Sequence, residues 1–257
     1  MLDHTLIREE SIRAIEAAGG EFTDEYHRLI RRRTECDPST INAAQQYAEA
    51  VISDADPTQV AMWGTLALAQ TTASSVDEAT VRNGLARALA PVLDAEIAKT
   101  AVKNYEKFRR QFNTAATAFT KAHDIIPATT DPGDLINASS EIRTAWAEGQ
   151  SLAHNFDGLV PTLTAAATIA GTQTSNPIGL ILNTEGLHRR RVWEAWTGPN
   201  RWTALLQLGA TIHAVALEEY EDYREPAPMQ QRHIRGDVGW RTVDVDPEDH
   251  TPDEDDE

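Results

Sequence analysis

The chain has 257 residues, 41% of them apolar, and a formal charge of −17 from 40 acidic against 23 basic side chains. That apolar share supports a core and argues against global disorder. The single Cys36 excludes an intrachain disulfide and a cysteine-built zinc cage. The longest apolar run, roughly 203–217, contains Gln207 and His213 and is too short for a bilayer. Met1-Leu2-Asp3-His4 opens no basic leader followed by an apolar run. No membrane span and no signal peptide are therefore expected. The expected location is the cytoplasm, or a particle assembled there.

Helix signals dominate in chain order. A weak helix over 6–17 closes at Gly19-Gly20, and a second from about Thr23 ends in Arg31-Arg32-Arg33, cations at the negative end of the helix dipole. Asp37-Pro38 and Asp56-Pro57 pair an N-cap with proline at the first helical position; they predict helices over 38–54 and 57–74. Ser75 and Glu78 fit a capping box. Pro91 is expected to end or kink the helix that follows. Beyond it no Gly or Pro occurs until Pro127, and apolar residues from Val92 to Phe119 step mostly by three or four. That predicts one long helix over about 91–126. A loop covers 127–133, and a helix over 135–155 follows. Residues 160–176 do not decide between helix and loop, and 171–177 is a break. A short helix opens at 183–185 and stops at Thr197-Gly198-Pro199, and Asn200 caps a last helix reaching about 224. No strand is expected outside the tail.

The fold class expected is all-α: an extended multi-helix array with one long helix, then a C-terminal helical hairpin and an extended acidic tail. Three regions follow: an N-terminal helical region over 1–126, a C-terminal helical region with a Trp-rich hairpin over 134–225, and a Pro-containing arm with an acidic tail over 226–257. Residues 244–257 carry nine acids and no Lys or Arg. Such a block is read either as a solvated tail or as a docking tail for a basic partner.

The densest local signal is 187–202, which holds Arg189-Arg190-Arg191 and three of the six Trp, at 193, 196 and 202. Aromatic residues at helical spacing read as core. The alternative is a nucleic-acid contact, with Arg31, Arg32, Arg33, Arg189, Arg190 and Arg191 on phosphates; the acidic chain charge opposes it at low salt. A metal alternative rests on Glu185 and His188 at i, i+3. A hairpin turning near Gly198 brings His213 within about one turn of both, giving one carboxylate and two imidazoles. After Pro226 and Pro228, Val238 and Trp240 alternate with small or polar residues, as in an extended peptide. Trp240, Val238 and Arg235 are the candidate partner-binding residues.

No serine-nucleophile elbow, phosphate-binding glycine loop or zinc-protease helix motif occurs, so no catalytic residue and no cofactor is expected. Only four of the basic residues are Lys, and surplus carboxylate with scarce Lys resembles proteins of salt-accumulating halophiles, whose self-repulsion is screened by counterions. The expected role is a structural or adaptor protein, binding a protein partner or a second copy of itself in a cellular or virus-like assembly. Nucleic acid is the less favoured partner, and no membrane partner is expected.

Overall fold

The computed structural model describes residues 2–35, 37, 41–72, 75–127, 133–236 and 239–248, with backbone alone for 2–7, 75–78, 234, 236 and 239. Cys36, Pro38, Asp237, Val238 and most of the acidic block, 249–257, lie outside the described residues. The chain is mainly helical. The helices are α1 (Leu2–Ala17), α2 (Asp24–Glu35), α3 (Ala43–Ile52), α4 (Pro57–Thr72), α5 (Ser75–Ile125), α6 (Ser140–Ile169), α7 (Ile178–Ile181), α8 (Arg189–Thr197) and α9 (Arg201–Gln207). Two antiparallel pairs join them: β1 (Leu182–Asn183) with β2 (Thr211–Ile212), and β3 (Gln230–Gly236) with β4 (Gly239–Val245). Among the described residues, no helix is long and apolar enough to cross a membrane. The chain forms two units, an inserted one of Ile15–Asn104 and a larger one of Met1–Ala14 with Tyr105–Glu257.

In the inserted unit, the turn after α1 closes with Gly20 N–H donating to the Ile15 carbonyl at 2.7 Å. A Cβ on Gly20 would stand 2.3 Å from Ile15 Cγ2, so this turn requires glycine. Thr23 caps α2, its Oγ1 accepting from Tyr26 N–H at 3.0 Å and donating to Glu96 at 2.7 Å. Phe22, Tyr26 and Leu29 are buried, spaced so that one helical face meets the core. Asn104 on α5 pairs with the backbone of Glu21 in both directions, at 2.9 and 2.8 Å. Helices α3 and α4 form an antiparallel hairpin whose start and end are joined by Gln70, which accepts from Ala43 N–H at 3.0 Å and donates to the Ile41 carbonyl at 2.6 Å.

The core of the larger unit is aromatic. Phe108, Phe112 and Phe119 from α5 and Phe156 from α6 are fully buried, and Trp202 from α9 is nearly so. Phe156 lies 5.1 Å from Phe112, 5.3 Å from Phe119 and 4.6 Å from Trp202, ring centre to ring centre.

Four expectations are corrected. Strands do occur ahead of the tail, since β1 pairs with β2 through Leu182 with Ile212 and Asn183 with Thr211. The long helix begins at Ser75, not near 91, and runs through Pro91. Pro91 and Arg87 are exposed there, so the missing hydrogen bond falls on an exposed face of the helix rather than against a core, which lowers the cost of proline inside a helix. The last helix stops at Gln207 instead of about 224, so the hairpin of α8 and α9 is short. Gly209 adopts φ +91°, and Ala210 N–H donates to the Leu205 carbonyl at 3.0 Å, a glycine-ended Schellman closure. The chain then runs extended. His213 N–H and Val215 N–H donate to the carbonyls of Ile181 and Leu180. Asn113 brackets Ala214, donating to its carbonyl at 3.0 Å and accepting from its N–H at 2.7 Å. Finally, the arm expected as a single extended peptide is a two-stranded ribbon, β3 with β4.

Candidate interaction surface

The outgoing leg of the ribbon starts near Pro226 and the returning leg ends near Asp246, and both legs are tied to α8. The Arg190 guanidinium donates through Nε and Nη2 to the two carboxylate oxygens of Asp246, on the returning leg, and through Nη2 to the carbonyl of Ala227, on the outgoing leg. Glu248 Oε1 accepts from Ala227 N–H at 3.0 Å and from Arg189 Nη1 at 3.3 Å. Glu248 N–H donates to Asp246 Oδ1 at 3.0 Å. Tyr223 donates its hydroxyl hydrogen to the Arg189 carbonyl at 2.6 Å, and burial pushes its pKa up to about 12, so it remains a donor at neutral pH. A close approach prepares this junction: a Cβ on Gly179 would stand 2.1 Å from the Glu221 carbonyl oxygen, so only glycine lets the segment before the arm pass over α7.

The hydrogen bonds from Arg190 hold the Asp246 carboxyl down at about 2. A folded-state pKa below the unfolded value of about 3.9 means that the clasp's contribution is complete above that value and is lost as pH falls through about 2. Following the Asp246 carboxyl carbon by NMR should give a midpoint near 2. A midpoint near 4 would show that the clasp does not form in solution.

Register pairs Arg235 with Trp240 and His233 with Thr242 across the ribbon, and Arg232 with Val243 and Gln230 with Val245. Directly opposed residues share a face, so Arg235, Trp240, His233 and Thr242 lie together near the tip. Trp240 is 74% exposed. His233 Nδ1 and Thr242 Oγ1 are 3.0 Å apart. Of the three candidate partner-binding residues, the structure thus brings Trp240 and Arg235 together; Val238 lies outside the described residues. Among those residues the ribbon pairs only with itself, which leaves its two outer strand edges without a neighbouring strand.

The Arg triplets are placed in separate units. On α2, Arg31 and Arg32 are exposed, with Arg32 3.7 Å from Glu35, and Arg33 is half-buried. On α8, Arg189 and Arg190 hold the arm, while Arg191 is exposed. Glu185 sits in the turn after β1, its N–H donating to Asn183 Oδ1 at 2.9 Å. His188 precedes α8, with Nε2 3.9 Å from Asp246, and His213 follows β2. The helical hairpin that was to align these three is absent, since 211–215 is extended. Among the described residues, no three His, Cys, Asp or Glu side chains are grouped to hold a metal ion. Trp202 is core and Trp196 packs edge-on against it at 5.6 Å. The Arg201 guanidinium lies 4.4 Å from the Trp196 ring centre and ion-pairs with Asp157, which also accepts from Trp202 Nε1–H at 3.0 Å.

Sequence reasoning missed the clasp itself: Tyr223, Asp246 and Glu248. Its one signal was Asp246-Pro247, where proline interrupts the acidic block. No family model, curated protein or solved structure matches the chain.

Proposed function

We propose that this chain is a non-enzymatic structural or adaptor protein, acting through protein–protein contacts in a cellular or virus-like assembly at high salt, with the β3–β4 ribbon as its contacting arm. The observation that carries this reading is Trp240, a large aromatic held in solvent near the tip of a ribbon whose root is fixed. An exposed aromatic is the side-chain type that most often anchors an interface. The free strand edges offer backbone pairing to an added strand. A clasp at the root lowers the ordering entropy that binding by a loose arm would cost. The charge of −17 with only four Lys supports a salt-rich setting.

A second reading, nucleic-acid binding, is favoured by Arg235 opposite Trp240, a cation beside a ring able to stack on a base. One experiment separates the two. Tagged chain and its Trp240→Ala variant are used to capture partners from extract of the source cell in molar KCl, with and without nuclease. A protein retained by the parent, lost by at least about tenfold from the variant, and indifferent to nuclease supports the adaptor. Nuclease-sensitive capture supports the second reading. Equal capture by both forms removes the arm from the proposal.

A further inference from the structure

We infer that the outer edge of β3 is the docking site for an acidic, extended segment of a partner protein, which adds as a third strand with carboxylates three positions apart. This rests on the reading of the ribbon as a contacting arm and deepens it, because it names the chemistry of what the arm contacts.

Strand β3 carries Arg232, His233 and Arg235 and no carboxylate, and all three side chains are exposed. No acid occurs between Glu225 and Asp237. In a chain of 40 acidic and 23 basic residues, this strand runs against the prevailing sign. Strand β4 does not, because its Arg241 is offset by Asp244. The acids around the ribbon lie off the β3 edge. Asp244 stands opposite Gln231, one strand away from a guest on that edge. Asp246 and Glu248 are engaged at the root by Arg190 and Arg189. Asp237 belongs to the turn and lies outside the described residues. Among the described residues, no strand neighbours β3 on its outer side.

Spacing selects the pattern of the guest. Successive residues of a strand point to opposite faces, so Arg232 and Arg235, three apart, belong to opposite faces of the ribbon. A guest strand level with both needs a carboxylate on each of its own faces, three residues apart. A strand taken from a core would have one apolar face; carboxylates on both faces mark an exposed acidic terminus or linker. Charge and length also select a protein over a nucleic acid. A strand edge pairs its backbone with another peptide. The ribbon is only about 24 Å long, from seven residues at about 3.4 Å each. A longer polyanion would run on to Glu225, Asp244, Asp246 and Glu248 at the root, and the acidic chain as a whole would repel it. A short strand centred on 232–235 stops before them.

The test is an NMR titration of the full chain with a short synthetic Thr/Val peptide bearing two glutamates three positions apart. The backbone amide signals of 230–236 are followed in molar KCl, and again at the lowest salt that preserves the helical circular dichroism, because exposed ion pairs strengthen as screening falls. The β3 signals are expected to move while those of α5 and α6 stay, with tighter binding at the lower salt. Arg232→Gln with Arg235→Gln should weaken binding by about tenfold, the loss of two exposed ion pairs, and should leave the ribbon paired, since both side chains are in solvent. The same peptide with glutamine for glutamate should bind the parent as weakly. Four results would each overturn the inference: no movement in β3, equal binding of the two peptides, tighter binding of a single-stranded oligonucleotide at the same signals, or movement of those signals with chain concentration alone, which would make a second copy the occupant. Capture of a protein from extract without any response of β3 to the acidic peptide would remove this site and leave the adaptor reading standing. A response of β3 with no captured protein would support the site and remove that reading.

Discussion

Phe156→Ala is expected to lower the free energy of unfolding by about 3–5 kcal/mol, the cost of truncating a fully buried aromatic. Phe156 has no exposed surface and its ring touches aromatic rings from both other helices of the cluster, Phe112 and Phe119 on α5 and Trp202 on α9. Truncation removes the transfer energy of the ring, and also the tilted and edge-on pairings, worth about 0.5–1.5 kcal/mol each beyond burial. The three neighbours are themselves large and rigid, so they cannot collapse into the space. Native domains are stable by only about 5–15 kcal/mol, so one such loss consumes a large share. Urea unfolding at fixed molar KCl measures it; salt must be fixed because it screens carboxylate repulsion. Phe156→Leu should lose less, since it keeps part of the volume. A loss below about 1 kcal/mol for Ala, the range of a surface change, would show that the four rings do not form the core.

Much of the helical frame was legible because its signals are local. Asp56-Pro57 starts α4 at Pro57, as a cap followed by proline should. Gly198-Pro199 ends α8 at Thr197. What local signals misread were cases decided by tertiary structure. Pro91 predicts an end or a kink because a proline removes one hydrogen bond, but only the surroundings reveal that this part of the helix is exposed. Residues 208–217 are apolar enough for a helix, yet Gly209 takes a positive φ and Asn113, about a hundred positions earlier in the chain, captures both polar groups of Ala214. A single glycine in an apolar run does not announce which of its two roles it will take.

The candidate surface was legible in part and for a similar reason. Trp240 stood out as a lone aromatic between prolines and acids, and its alternation with small residues marked extended backbone. The ribbon needs a partner strand, and 230–236 is polar and Arg-rich, without the β-branched run that usually marks a strand. Two strands alone are marginal in water. The stabilising contact lies outside the ribbon, at Arg190, whose neighbours in sequence are two more arginines. Nothing in the triplet distinguishes the one that makes three hydrogen bonds from the one left exposed.

Arg190→Asp should release the arm, and Arg190→Asp combined with Asp246→Arg should restore it. One guanidinium ties the outgoing leg at Ala227 to the returning leg at Asp246, so its loss loosens both at once and leaves Glu248, on Ala227 N–H and Arg189, as the remaining tie at the root. Reversal to aspartate adds repulsion against Asp246 and Glu248. The expected result is a roughly tenfold or greater rise in the rate of proteolytic cleavage within 226–248, because cleavage there tracks the population of locally opened chain. Overall helical content and the urea midpoint of the body should hold, since the hydrogen-bond partners of this arginine, Asp246 and Ala227, are not part of the aromatic core. Molar KCl should not mimic the mutation. Arg190 and Asp246 have side chains only 14% and 9% exposed, and sheltered pairs are screened much less than exposed ones. The charge-reversed double variant is the decisive member of the set. It keeps the pair and exchanges its ends, so it regains protection if the ion pair fastens the arm. It stays as sensitive as the single variant if the Ala227 carbonyl bond, which needs a donor on α8, supplies most of the hold. Either pattern identifies what keeps Trp240 presented, and unchanged cleavage in the single variant would remove the clasp from the account altogether.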